Sequence, residues 1–98
     1  MKYKIIILDI KYSSEKEKNK LIKFIKYNNY NNHIEYLYND NYILFIKYDD
    51  NVDVYTTDIN NINYLIGLNI YDIFTISGIN EFFRYIKISK LKNNINII

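Results

Sequence analysis

Asp9 and His33 are the residues whose types and positions could support catalysis or metal binding. Asp9 follows an apolar run, Ile5–Leu8, and a carboxylate at a strand end can bind a divalent ion. Asp49 or Asp50 would join it if their strands pair, which would suit a metal-dependent nuclease. His33 is the single histidine of a chain without cysteine, so thiolate catalysis and cysteine-ligated zinc are excluded. We expect Asp9 and His33 to be polar surface residues, and we predict no catalytic residue, cofactor or metal site.

Lysines between residues 11 and 26 form a second group with a possible chemistry, the binding of phosphate. The candidate nucleic-acid contacts are Lys16, Lys20, Lys23 and Lys26. Tyrosines on a predicted hairpin could stack bases; they are Tyr36, Tyr38, Tyr42 and Tyr48. Lysines at this spacing are also typical of a solvated helix face, and cross-strand packing explains tyrosines in a hairpin. The sequence therefore favours only weak, electrostatic binding of nucleic acid.

The distribution of charge and apolar residues indicates a protein as the specific partner. Residues 1–30 have a net charge of +5, residues 31–83 of −7 and residues 84–98 of +4, for a total of +2. The acidic middle would repel phosphates. Apolar residues make up 49% of the chain and aromatic residues 17%, which leaves apolar side chains for a docking patch beyond the core. The candidate partner contacts are Tyr42, Phe82 and Phe83.

Length and composition predict one small globular domain. A chain of 98 residues with 24% charged residues is ordinary for a single hydrophobic core. No apolar run approaches the roughly 18 residues of a membrane span, and no signal peptide is recognisable. We therefore expect a protein of the cytoplasm or an organelle interior, neither secreted nor membrane-bound. Ile, Asn, Tyr and Lys dominate, while Ala, Gln, Pro, Cys and Trp are absent, which indicates an AT-rich genome.

The hydrophobic pattern predicts strands and helices in alternation. The expected strands are Lys2–Ile10, His33–Tyr38, Tyr42–Tyr48, Tyr64–Leu68 and Tyr71–Ile76. Ser14 and Glu17 have the spacing of a capping box, which predicts a first helix that runs to about Tyr27. A short second helix is expected from Val54 to about Asn61.

The last predicted helix is capped by Ser77. Its buried face is expected to consist of Ile79, Phe82, Phe83 and Ile86, which recur at helical spacing. Residues 28–32 are expected to form a loop and residues 49–53 an acidic turn, because Asn and Asp favour turn geometry.

These elements predict an α/β domain of the α+β class. The simplest topology is a ferredoxin-like split β-α-β sandwich, in which helices cover one face of an antiparallel sheet. The domain is expected to span residues 1–90, with residues 91–98 as a C-terminal tail.

Short stretches along most of the chain resemble the N-terminal domain family of NusG, the module that transcription elongation factors use to bind RNA polymerase. Lys4–Ile10 matches its opening strand and Ser14–Asn19 the start of its first helix. Asn41–Ile46 and Asn63–Gly67 match two further strands, and Thr75–Phe83 matches its closing helix. The resemblance implies an apolar polymerase-binding surface and carries over no catalytic residue.

Two partial resemblances support other readings. Residues 4–27 resemble the start of the small CRISPR-associated ferredoxin-like nuclease, where Asp9 would be a metal ligand, and residues 65–90 resemble the end of a STAS domain. We therefore expect a non-enzymatic binding module similar to a NusG-type accessory domain. The alternatives are a nucleic-acid binder that uses the basic helix and hairpin tyrosines, and a nuclease centred on Asp9.

Overall fold

The computed structural model describes residues 3–33 and 41–93 of the protein, and within these ranges it contains eight elements. The strands are β1 (Lys4–Asp9), β2 (Asn31–Asn32), β3 (Tyr42–Tyr48), β4 (Asn51–Thr57) and β5 (Asp72–Ser77). The helices are α1 (Glu15–Tyr27), α2 (Ile59–Leu68) and α3 (Ile79–Asn93). No helix in the described ranges is long and apolar enough to cross a membrane.

The five described strands form one sheet in the order β2-β4-β3-β1-β5. β3 is antiparallel to β1 and to β4, whereas β5 is parallel to β1 and β2 is parallel to β4. The predicted α+β class is confirmed, since three helices pack on this sheet in a manner consistent with a ferredoxin-like arrangement. The sheet is antiparallel at the β1–β3 and β3–β4 pairs, as expected, but it is mixed, because β1 and β5 pair in parallel along their whole length.

Successive side chains of β1 and β3 point to opposite faces of the sheet, and each face carries its own core. The first core lies under α1 and α3. Its buried members are Ile6, Leu8, Ile10, Leu21, Ile25, Ile43, Phe45, Val52, Val54, Ile76, Ile79, Phe82 and Ile86. The second core lies under α2 and is smaller, with Ile5, Ile7, Leu44 and Ile62 buried.

The expectation that all helices share one face is therefore wrong, and strand direction explains why. β1, β2, β4 and β5 run the same way, but the chain crosses from β1 to β2 towards one edge and from β4 to β5 towards the other. Crossovers are right-handed, so two crossovers in opposite directions place their helices on opposite faces. The sequence analysis did not predict β4 as a strand. It therefore could not predict that the second crossover starts from a strand parallel to β5.

Helix α1 forms where the capping box predicts it. The backbone N–H of Glu17 donates to Ser14 Oγ at 3.1 Å, and Glu17 Oε1 accepts from the backbone N–H of Ser14 at 3.0 Å. These reciprocal bonds satisfy two backbone donors at the helix start. Leu21 and Ile25 are buried in the first core, as the apolar spacing indicates.

The segment from residue 49 to residue 68 differs from the prediction. Asp49 and Asp50 form a tight turn, but Asp53 belongs to β4, so the expected turn is too long. The predicted helix at Val54–Asn61 and the predicted strand at Tyr64–Leu68 are both wrong, because β4 is followed by α2. Asp58 caps α2 through a 3.0 Å bond from the backbone N–H of Asn61, and Asn69 ends it in the left-handed region, at φ 53°.

The predicted strand Tyr42–Tyr48 is confirmed as β3, and the extended segment Tyr71–Ile76 corresponds to β5. Residues 31–32 form the short strand β2 where a loop was expected. The predicted strand His33–Tyr38 and the turn that follows it fall largely outside the described residues.

Helix α3 begins at Ile79, directly after Gly78, whose φ of +94° suits glycine. Ser77, the predicted cap, is the last residue of β5. It is separated from the helix by Gly78 and so does not occupy the position directly before it. Ile79, Phe82 and Ile86 are buried and Phe83 is half-buried, as predicted. The helix continues to Asn93, so residues 91–93 are helical where a tail was expected; residues 94–98 lie outside the described residues.

Candidate functional site

Asp9 stands at the end of β1, and its carboxylate is used locally. Asp9 Oδ1 accepts a 2.9 Å hydrogen bond from the backbone N–H of Lys11, which stabilises the turn after the strand. Asp9 is half-buried there, so it is less exposed than the surface position that we expected.

The carboxylates proposed to join Asp9 lie at the other end of the sheet. β1 and β3 are antiparallel, with Asp9 opposite Tyr42 and Lys4 opposite Lys47. The turn of Asp49 and Asp50 therefore follows the end of β3 that lies beside Lys4, roughly 20 Å from Asp9 at the usual rise along a strand. The hypothesis that Asp49 or Asp50 joins Asp9 in a metal site is therefore wrong. In the described ranges, no group of three His, Asp or Glu residues could hold a metal ion.

His33 lies exposed beside strand β4. Its ring stacks on Tyr55 with a centroid distance of 4.5 Å and an interplanar angle of 7°, and its backbone N–H donates to the carbonyl of Val54 at 2.9 Å. Both contacts attach His33 to β4 and stabilise the edge of the sheet, which is a structural role.

The candidate nucleic-acid contacts Lys16, Lys20, Lys23 and Lys26 are exposed on α1. Lys20 Nζ lies 4.9 Å from the ring centroid of Phe83 on α3, a cation–π contact that covers part of this half-buried ring. These lysines thus form a basic surface on the first-core side of the sheet.

The tyrosines expected to work with the basic helix lie on the opposite side. Tyr42 packs against the second core, and Tyr48 shares its face of the sheet because the two are an even number of residues apart on β3. A nucleic acid on α1 would therefore not reach these rings across the sheet. Tyr36 and Tyr38 are outside the described residues.

The candidate partner contacts are separated as well. Phe82 is fully buried, so it serves the first core and presents no surface to a partner. Phe83 is half-buried beneath Lys20, and Tyr42 is half-buried on the other face. The three residues do not form one surface.

Helix α2 shows a surface that the sequence reading missed. Its ten residues, Ile59–Leu68, contain no charged side chain, and only Ile62 is buried. The large apolar side chains that remain 37–67% exposed are Ile59, Tyr64, Ile66 and Leu68. We call these four residues the α2 surface.

The arrangement of the α2 surface makes nearly the whole outer side of the helix uncharged. Ile59 and Ile66 lie two turns apart on one flank, while Tyr64 and Leu68 lie one turn apart on another. The exposed residues between them are asparagines and Gly67. The absence of charge over residues 59–68 was visible in the sequence. Because part of this segment was predicted as a strand, we did not predict an uncharged helix surface.

No protein-family model, curated protein or solved structure matches the chain.

Proposed function

We propose that the protein is a non-enzymatic binding module that docks on a protein partner through the α2 surface. The observation that carries this proposal is an exposed helix with four large apolar residues and no charge, in a chain with 24% charged residues. Depletion of charge together with exposed aromatic and aliphatic side chains is typical of the centre of a protein–protein interface.

The partner is a protein with an apolar groove and a basic rim. Exposed carboxylates flank the α2 surface in the chain, Asp58 at its start and Asp72 just beyond its end. A basic rim would complement them, whereas a symmetric pairing of two α2 surfaces would bring like charges together. A heterologous partner therefore fits better than a second copy.

In its sharpest form, the proposal names RNA polymerase as the partner. The stretches that carry the NusG resemblance coincide with a strand at β1, a helix at α1 and a strand at β3. The stretch Asn63–Gly67 departs from it, because it is helical where the family has a strand. The docking surface proposed here, on α2, is therefore not one that the NusG resemblance implies.

A pair of matched variants tests the surface. Ile66 on α2 and Ile88 on α3 are similarly exposed, at 50% and 45%, but lie on opposite faces of the sheet. Ile66→Lys should weaken binding to purified host RNA polymerase by about tenfold or more, since it places a charge in the apolar contact. Ile88→Lys should bind like the unaltered protein. Equal loss in both variants, or in neither, would contradict the role of α2.

A photo-crosslinking residue at each of these two positions separates the surface from the choice of partner. If polymerase does not bind, position 66 should still give one discrete crosslinked protein in host cells that position 88 does not give. A crosslinked dimer of the chain, or the same products from both positions, would refute a dedicated heterologous docking surface.

Titration with nucleic acid separates this function from its main alternative. Binding of short DNA or RNA should be weak and should fall steeply as salt rises, because it rests on the exposed cations of α1 and α3. Lys20→Gln with Lys23→Gln should reduce it further and leave the binding of the protein partner unchanged. Tight, sequence-selective binding at physiological salt would replace the protein-docking proposal with the nucleic-acid one.

A further inference from the structure

A pocket of about 310 Å³ opens on the second-core side of the sheet. Its volume is at the lower end of the range of small-molecule sites, about 300–1,000 Å³. Four tyrosines, three aliphatic residues and one carboxylate line it: Tyr3, Tyr48, Tyr55, Tyr71, Ile5, Ile46, Leu65 and Asp53. The lining thus combines aromatic rings with a single negative charge.

The tyrosine rings support one another in fixed positions. Tyr3 meets Tyr48 edge-on with a centroid distance of 5.6 Å, and it stacks on Tyr71 at 6.2 Å. On the other side of the pocket, His33 stacks on Tyr55. The pocket is therefore held by ring contacts between residues that are distant in the sequence.

Asp53 is oriented by neutral groups. Its Oδ1 accepts a 2.8 Å hydrogen bond from Asn31 Nδ2, and its Oδ2 accepts a 3.1 Å bond from the Tyr48 hydroxyl. The bond to Asp53 raises the pKa of Tyr48, and partial burial and the nearby negative charge add to this effect. Neither donor carries a positive charge, so both fix the carboxylate without neutralising it.

The charges around the pocket favour a cation. Asp49, Asp50 and Asp72 are exposed at the same end of the sheet. Lys4, although next to Tyr3 in the sequence, donates to Tyr85 on α3, on the other side of the sheet. Phosphates and carboxylates would be repelled here, whereas a positive charge would be attracted.

We propose that this pocket binds a quaternary ammonium group, with the tyrosine rings as its walls and Asp53 as its counter-ion. Aromatic rings stabilise such cations through their quadrupoles, and desolvation strengthens the effect. A primary ammonium would need hydrogen-bond acceptors for three N–H groups. Each Asp53 oxygen already accepts one bond, and the rest of the lining consists of tyrosine rings with their hydroxyls and aliphatic side chains, so it suits a cation held by ring faces better than one that needs three directed bonds.

Titration of the intact protein with tetramethylammonium chloride, followed by amide NMR, tests the site. Saturable shifts are expected around residues 3–5, 46–55 and 71, beyond those caused by matched sodium chloride. Choline should bind at least about tenfold more tightly than its neutral isostere 3,3-dimethylbutan-1-ol, because the isostere lacks the charge. Equal binding of both would overturn the proposal, as would shifts no larger than those of sodium chloride.

Two isosteric variants and one control assign the interaction to Asp53 and the rings. Asp53→Asn keeps the shape of the side chain and should weaken binding about tenfold, and Tyr71→Leu should weaken it by a similar factor. Tyr27→Leu, which removes an exposed tyrosine of α1 on the other side of the sheet, should have no effect. Urea melts of each variant confirm that it is folded. Unchanged affinity in Asp53→Asn would refute the counter-ion role and with it the proposal.

The same titration distinguishes the sources of a quaternary ammonium group. Choline and glycerophosphocholine represent free and lipid-derived ligands, and Nε-trimethyllysine represents a modified protein side chain. The highest affinity among them identifies the source, while saturable binding of none of them overturns the site. The result does not depend on the proposed docking function. Docking is tested at Ile66, and Ile66 does not line the pocket.

Discussion

Helices α1 and α2 cover opposite faces of one sheet and differ in almost every other respect. Seven of the thirteen residues of α1 are charged, and its buried residues Leu21 and Ile25 join the larger core. α2 has no charged residue, and only Ile62 is buried. The exposed side of α1 is mostly charged, with Tyr27 as its exposed aromatic residue, whereas the exposed side of α2 is uncharged and carries four large apolar side chains. This difference is the basis of the docking role that we propose for α2.

The largest expected effect is in the first core, at Phe82. Its ring stacks on Phe45 at 4.7 Å and meets Phe24 edge-on at 5.7 Å. Phe82→Ala should lower the free energy of unfolding by about 3–5 kcal/mol, while the half-buried Phe83 should lose roughly half as much. Urea melts measure both. Equal and small losses would mean that α3 does not dock as the structure shows.

Ile62 is the corresponding residue of the second core. Ile62→Ala should lower the free energy of unfolding by about 2 kcal/mol, at the low end for such changes, because the second core is small and the partly open pocket beside it allows relaxation. Hydrogen exchange of α2 should accelerate more than that of α1. A uniform acceleration throughout the sheet would show that α2 unfolds only with the whole domain.

The N-caps of the two helices offer a matched comparison. Ser14→Ala and Asp58→Ala each remove a side chain that accepts a backbone N–H bond, and each should lower the free energy of unfolding by about 1 kcal/mol. Partner binding should weaken only in Asp58→Ala, because that cap orders the docking helix. Equal binding by both variants would remove the functional distinction between the helices.

The smallest effect is a pH dependence confined to α1. The backbone N–H of Ser14 lowers the pKa of Glu17 below 4.5, and the Ser14 hydroxyl adds to the shift. A lowered pKa in the folded state means that this contribution is present above about pH 4.5 and is lost as the pH falls through the folded value. Glu17→Gln should remove this part of the acid destabilisation. NMR titration of the Glu17 carboxylate measures the shift, and an ordinary pKa would contradict it.

The same contrast explains which elements the sequence predicts. α1 is specified by local signals, the Ser14–Glu17 box and an amphipathic spacing. α2 contains Gly67 and the β-branched Ile59, Ile62 and Ile66, which disfavour a helix locally, so its conformation depends on the Asp58 cap and on packing of Ile62 against the sheet. In β4, Val52 and Val54 alternate with Asp53 and Tyr55, which is a readable strand signal, but the predicted acidic turn at residues 49–53 and the predicted helix from Val54 divide it between them.

The tyrosine pocket could not be predicted, for a different reason. Its lining comes from β3, β4 and α2, together with residues at or beside the starts of β1 and β5. The residues meet only through strand order and register, which no local pattern encodes. Tyr48 was a candidate for stacking bases as one of the hairpin tyrosines, but the face on which it lies depends on that register.

The parallel pairing of β1 with β5 determines when the chain can mature during synthesis. β1 leaves the ribosome first, yet β5 follows only after the hairpin and α2. Until then, one edge of the apolar segment Ile5–Leu8 has no partner strand, and pairing across such a long stretch of chain is slow because a large loop must close first. The domain therefore completes its sheet only after β5 has been synthesised, and until then the open edge of its first strand is exposed to aggregation.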